Sequence, residues 1–197
     1  MKKLSTIAMI ALAVWMFQAC SGNTKTDSKA AADSANAVND SSKNDTSKKM
    51  TMVVEKEDAQ FATEAASGGM AEVALGKLAQ EKAVNSKVKN FGAMMVMDHS
   101  KANEAFKGIA KSKNITLPAA PGAEEQKTMD ELSKKSGADF DKAYVSDMIE
   151  DNKKDIKAFE AASKTCKDPE IKAFAIKTLP VLRKHLDAIN AIHDSMK

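Results

Sequence analysis

VNSKVKNFGAMMVMDHSKANEAFKGI, residues 84 to 109, decides how this chain folds. Stepping through it in alternating threes and fours picks out Val84, Val88, Phe91, Met95, Asp98, Ala102, Ala105 and Ile109. Every member except Asp98 is apolar, the pattern of an amphipathic helix with one face turned to a core. Met95 belongs to that face, and Met94 and Met97 fall progressively off it. Three methionines that diverge around a helix cannot converge on one soft metal ion, so they read as adaptable core filler. Asp98 is the anomaly, with His99 beside it just off the seam.

Working outward, the same stepping finds three more long amphipathic helices. One over 57–82 has the seam Phe61, Ala65, Gly68, Glu72, Leu75, Ala79. One over 138–165 has Val145, Ile149, Asn152, Ile156, Phe159, and one from 169 to the C-terminus has Ile171, Ala175, Thr178, Leu182, His185, Ile189, Ile192. Asp168 is a good N-cap and Pro169 suits the first helical position; Pro180 should kink the last helix. The second helix, 85–112, ends before Asn114 to Pro118 and Pro121-Gly122. A short helix over 123–135 then leads to Ser136-Gly137. Two helix pairs with tight turns, joined by a long crossover, predict an all-α, ferritin-like four-helix bundle with a short extra helix in the crossover. Val88-Lys89-Asn90-Phe91-Gly92 is echoed by Ile171-Lys172-Ala173-Phe174-Ala175, a faint sign of duplication.

Each long helix thus carries one strongly polar residue in an apolar seam: Glu72, Asp98, Asn152 and His185. Counted from the turns at 1.5 Å per residue, all four fall near one level, with His99 beside them. Buried charges must be paired or bind metal. Two readings stand. In one, Asp98 with His185 and Glu72 with His99 close a hydrogen-bonded cluster. In the other, Glu72, Asp98, His99 and His185 hold a divalent zinc, iron, manganese or copper ion, with Asn152 behind them or in a lost ligand's place. The Glu-x-x-His repeat of a di-iron centre is absent, because Leu182 stands three before His185. Lys153-Lys154-Asp155 reads as a solvated helix face, and Cys166 as an inert thiol that cannot form an internal disulfide if Cys20 is lipidated.

The N-terminal segment reads as targeting rather than fold. Lys2-Lys3 precede an apolar run, Ile7 to Phe17, of signal-peptide length. Phe17-Gln18-Ala19-Cys20 then resembles a lipoprotein box, with Phe17 where Leu is usual. Residues 1–19 are therefore expected to be a lipoprotein signal peptide, and Cys20 the lipidated residue that anchors the chain to a membrane it does not span. Residues 20–55, rich in Ser, Asn, Asp, Lys and Ala, are expected to be a flexible tether. The bundle domain then covers 56–197. Charge alternates along the chain to a net +3, with no basic block among aromatics, so nucleic acid is not an expected partner. Gly-rich phosphate loops, His-Glu-x-x-His, Cys-x-x-Cys and nucleophile elbows are missing, which argues against enzyme classes built on them.

Four stretches in order resemble the bacterial domain of unknown function 4142 family, exported ferritin-like bundles often labelled outer-membrane proteins. They are Phe61-Ala-Thr-Glu-Ala-Ala-Ser-Gly-Gly-Met-Ala-Glu72-Val, Val88-Lys-Asn-Phe-Gly-Ala-Met-Met-Val-Met-Asp98-His99, Gly137-Ala-Asp-Phe-Asp-Lys-Ala-Tyr144 and Thr178-Leu-Pro180-Val-Leu-Arg-Lys-His185-Leu. The resemblance covers roughly 57–193 and implies the bundle and export, with no established activity. It also implies a possible site of Glu72, Asp98, His99 and His185 plus a histidine where this chain has Asn152. The expectation is a lipid-anchored, periplasm-facing protein of the bacterial cell envelope, at the outer rather than the inner membrane. Its expected role is binding or structural, with an envelope protein partner. Divalent-metal binding is the alternative, and a ferritin-like oxidoreductase a more distant one.

Overall fold

The computed structural model describes residues 27–41 and 54–197. The expected signal peptide and Cys20 lie outside the described residues. Six helices follow in order: α1 (Ser28–Ser41), α2 (Lys56–Lys82), α3 (Ser86–Ser112), α4 (Ala123–Ser133), α5 (Gly137–Thr165) and α6 (Pro169–Asp194). The chain is an all-α bundle, with no strand among the described residues. No helix among them is long and apolar enough to cross a membrane.

Local chemistry sets the boundaries. Asp168 caps α6 by accepting from the N–H groups of Glu170 (2.9 Å) and Ile171 (3.1 Å), with Pro169 opening the helix. Asn85 accepts from Lys87 N at the start of α3 (2.9 Å). Caps of this kind are each worth about 1 kcal/mol. Pro180 does not end α6. It and Ile176, whose carbonyl loses its helical partner, both lie on the exposed face, where water serves instead.

α2 and α3 form one antiparallel hairpin and α5 and α6 the other. Contacts between the hairpins run antiparallel as well: Phe61 meets Phe159, and Lys113 meets Asp168. The directions are therefore up, down, down, up, with the crossover through α4 bringing α5 alongside α2. The sequence echo extends into structure. One constant interval separates Asp58 from Asp141, Asn85 from Asp168, and Phe91 from Phe174. Asp58, at the start of α2, accepts from Lys167 N and Asp168 N in the α5–α6 turn (2.6–3.1 Å). Asp141, at the start of α5, accepts from Val84 N (3.2 Å) and Asn85 N (2.8 Å) in the α2–α3 turn. Each hairpin thus clamps the other's turn, at opposite ends of the bundle.

The core is two apolar clusters. Leu75, Phe91, Met95, Phe140, Tyr144, Met148 and Ile189 fill one end. Phe61, Phe106, Phe159, Ile171 and Leu182 fill the other. The polar seam residues form the layer between them. α2 and α3 cross closely where two glycines face each other. A Cβ on Gly76 would lie 2.6 Å from the Gly92 carbonyl oxygen, and a Cβ on Gly92 would lie 2.6 Å from that of Gly76. Backbone cannot yield as a flexible side chain can. Gly76→Ala should therefore lower stability by about 2 kcal/mol despite the gain in helix propensity, read from its urea midpoint.

Two expectations need correction. Ser28–Ser41, placed in the flexible tether, form α1, which is docked on the bundle. Ser28 Oγ accepts from Ala119 N (2.9 Å) and Ala120 N (3.1 Å); Asn36 exchanges two hydrogen bonds with the Thr116 backbone; Thr63 Oγ1 donates to Asp33. The helix rests on polar contacts and small alanines, so its composition resembles that of an unfolded linker. The α3 seam also drifts. Alternating threes and fours average 3.5, and a straight helix of 3.6 residues per turn departs from that by about 20° per heptad. Beyond Met95 the buried line runs through His99, Phe106 and Ala110. Ala102, Ala105 and Ile109 instead line a surface groove of about 470 Å³ with Phe174 and Val181 of α6. At the other end, Val84 is 66% exposed.

Candidate functional site

Glu72 of α2, Asp98 and His99 of α3 and His185 of α6 meet at mid-bundle, as the counted heights require. His99 is wholly inside the seam (6% exposed), whereas the Asp98 side chain is 24% exposed. Both expected pairs form: Glu72 Oε2 lies 2.7 Å from His99 Nδ1, and His185 Nε2 lies 2.9 Å from Asp98 Oδ2. A third contact, not expected, joins them: His99 Nε2 and His185 Nδ1 are 3.3 Å apart. The result is one line, Glu72–His99–His185–Asp98, from a closed interior to the rim of the α3/α6 groove. Asn152 is fully buried but stands aside. Its Nδ2 donates to the Met148 carbonyl of its own helix (2.8 Å), and its Oδ1 has no partner among the described residues.

Electrostatics orient the line. Burial holds the Glu72 carboxyl well above the usual range, and Asp151 pushes the same way. Burial pushes His99 down, overriding the pull of Asp155, Asp151 and Asp98. It pushes His185 down too, overriding its bond to Asp98. With these directions, the proton order that satisfies every contact has a neutral Glu72 carboxyl donating to His99 Nδ1, His99 donating from Nε2 to His185 Nδ1, and His185 donating from Nε2 to Asp98. In that order every link holds one proton and both rings are neutral.

The four residues do not converge as metal ligands. Among the described residues, no three His, Cys, Asp or Glu side chains are placed to hold a metal ion.

The sequence reading missed an acidic column. Asp147, Asp151 and Asp155 stand four apart along α5. Asp155, read as part of a solvated face, instead lines both a cleft against α2 and a small inner cavity of about 20 Å³ shared with Glu72 and His99. Such a volume matches one water molecule. Burial, with Glu72 and Asp151 nearby, raises Asp155 well above the carboxylate range. Burial raises Asp151 as well, and takes Asp147 to about 6. The four-residue spacing was the available signal. Cys166 is buried, and its thiol is pushed up to about 12 by burial and Asp58, so it stays protonated and inert at neutral pH.

Residues 42–192 match the family described as domain of unknown function (DUF4142). The chain belongs to the DUF4142 family. The match spans α2 to α6 almost completely and leaves out α1. Nothing among curated proteins or solved structures matches the chain. In this DUF4142 chain, then, the reading of function rests on the polar line and its surroundings.

A pH dependence follows from these shifts. Glu72 and Asp155 keep their protons on folding at a pH where the unfolded chain has released them, so their contribution is fully present below about pH 4 and is lost as pH rises toward their folded pKa values. The histidines act oppositely: buried neutral, they lose stability as pH falls below about 6.5. The contributions oppose one another between those limits. Asp155→Asn removes one of the carboxyl contributions, so its melting temperature relative to wild type should rise with pH above about 4 in a calorimetric series; a difference that does not change with pH would contradict a raised Asp155.

Proposed function

We propose that this DUF4142 protein is a lipoprotein of the bacterial cell envelope. Lipidated Cys20 anchors it at the outer membrane, and the bundle faces the periplasm in a binding or structural role. One observation carries the non-catalytic half of this reading. All four ring nitrogens of His99 and His185 are engaged within the line, so neither ring is presented to a substrate as a base or nucleophilic partner. The targeting half is supported by the apolar run and Cys20. The groove between α3 and α6 supports contact with an envelope protein partner.

Thermal unfolding of the full-length protein, without an affinity His-tag, tests the core of this reading. It is measured with and without zinc, manganese, iron(II) and copper(II), in the wild type, Asp98→Ala and His185→Ala. A ligand that binds only the folded state raises the melting temperature by mass action. The structural reading predicts no rise with any ion and lower melting temperatures for both variants. A wild-type rise that both variants abolish would establish instead a divalent metal held by Glu72, Asp98, His99 and His185. Fractionation tests the anchor. Cys20→Ala should move the protein from the membrane pellet to the soluble fraction; if it stays in the pellet unchanged, the lipid anchor is wrong.

A further inference from the structure

The inner cavity of about 20 Å³ lies between the polar line and the acidic column. Its polar lining comes from Glu72 of α2, His99 and Asn103 of α3, Asp155 of α5 and Thr178 of α6. The rest of the wall is apolar and includes Phe106 and Leu182.

One atom of this lining lacks a partner. Glu72 is 1% exposed; its Oε2 is engaged with His99 Nδ1, and its Oε1 has no partner among the described residues. A buried acceptor left unpaired is costly, and native proteins satisfy such groups with protein or with ordered water. The neighbouring groups offer the complementary chemistry. Thr178 Oγ1 donates its own proton to the Phe174 carbonyl (2.9 Å), which leaves its oxygen as an acceptor. Asn103 and Asp155 have no hydrogen-bond partner among the described residues. Each supplies a donor: the Asn103 amide, and the Asp155 carboxyl in the protonated form that burial favours. Gly69 makes the room, because a Cβ there would run into Asn103 Oδ1.

Size and chemistry select the guest. A water molecule needs roughly 10–15 Å³ and two to four polar partners. A metal ion needs several donors gathered about one point, and no three His, Cys, Asp or Glu side chains are so gathered among the described residues.

The geometry points to this cavity as the binding site of one structural water molecule, which donates to Glu72 Oε1 and Thr178 Oγ1 and accepts from Asp155 and Asn103. The line by itself joins α2, α3 and α6 and leaves α5 out. The water brings α5 in through Asp155, so all four long helices are tied at one level. Asp155 also lines the cleft against α2, and Asp98 stands at the rim of the α3/α6 groove. Asp155, the water, Glu72, His99, His185 and Asp98 then form one hydrogen-bonded chain across the bundle, with every donor directed toward the groove. The site depends on neither the membrane anchor nor a protein partner.

Nuclear magnetic resonance of the isotope-labelled full-length protein in neutral detergent, with water itself as the probe, tests the assignment. Leu182 and Phe106 are 1% and 2% exposed, so bulk water does not reach them. Magnetisation from water should nevertheless reach the Leu182 methyls and the Phe106 ring. Its sign should differ between laboratory-frame and rotating-frame transfer, the mark of a water held longer than the protein takes to tumble. Asn103→Leu/Thr178→Val replaces two polar partners by apolar groups of similar size and should weaken the transfer at least fivefold, with circular dichroism confirming the fold. If that variant does not fold, the near-isosteric Thr178→Val alone must weaken it at least twofold. No transfer in the wild type, or transfer unchanged in the folded variant, overturns the assignment. So does transfer abolished by equimolar zinc, since the cavity would then take an ion.

Discussion

His185→Ala should lower stability by about 4 kcal/mol, the largest effect of any single change in the polar layer. His185 is fully buried, and both its ring nitrogens are engaged. Truncation leaves a cavity against Phe91 and strands His99 Nε2 inside the bundle, while Asp98 at the groove rim loses its partner. Breaking a buried polar pair on one side costs about 3–5 kcal/mol, because the abandoned partner keeps its desolvation penalty. Urea unfolding, read as a shift in midpoint at constant slope, measures it. The directed line adds a discriminating companion. If neutral Glu72 donates to His99, Glu72→Gln keeps a donor in place and should cost less than about 1 kcal/mol, whereas Glu72→Ala should cost about 3. If Gln proved as damaging as Ala, the carboxyl would have to be ionised and the proton order reversed.

The clamps come next. Asp58→Ala removes the acceptor for two backbone N–H groups in the α5–α6 turn, from a side chain that is 1% exposed. A hydrogen bond to a charged acceptor is worth about 1.5–3 kcal/mol, and the two donors cannot be served equally well from outside. A loss of about 3 kcal/mol is expected. Asp141→Ala should cost about the same, since it serves Val84 and Asn85 in the equivalent way. The two aspartates lie at opposite ends of the bundle, so the double variant should lose the sum. Guanidinium unfolding of the singles and the double checks both numbers. Markedly sub-additive losses would mean that the two ends do not clamp independently.

Much of the fold was legible because helix periodicity and helix punctuation agree. Asp168-Pro169, Gly137 and the Pro118–Gly122 break each mark a boundary by a local mechanism, and four amphipathic seams allow few arrangements besides a bundle. The level of the site was legible too, since a constant rise per residue places Glu72, Asp98, His99 and His185 together whatever the packing details. Less accessible were features that depend on rotation or on polar docking. The drift of α3 put His99 inside and sent Ala105 and Ile109 to a surface groove, which strict heptad counting cannot foresee. The His99–His185 contact depends on that rotation. α1 has only small alanines such as Ala32 to bury, and its docking draws on Ser28, Asp33 and Asn36 meeting partners far along the chain. Asp155 looked solvated because its neighbours Lys153 and Lys154 are, yet one step around the helix turns it into the cleft.

The polar line makes one direct spectroscopic prediction. Nitrogen-15 chemical shifts of the imidazoles at pH 7, with and without added zinc, report the state of both rings. The account predicts two neutral rings for His99 and His185, each protonated on Nε2, with shifts that zinc leaves unchanged. An imidazolium signal from either ring, or nitrogen shifts that move to metal-bound values on adding zinc, would contradict a self-contained structural line and make this layer of the bundle a metal site.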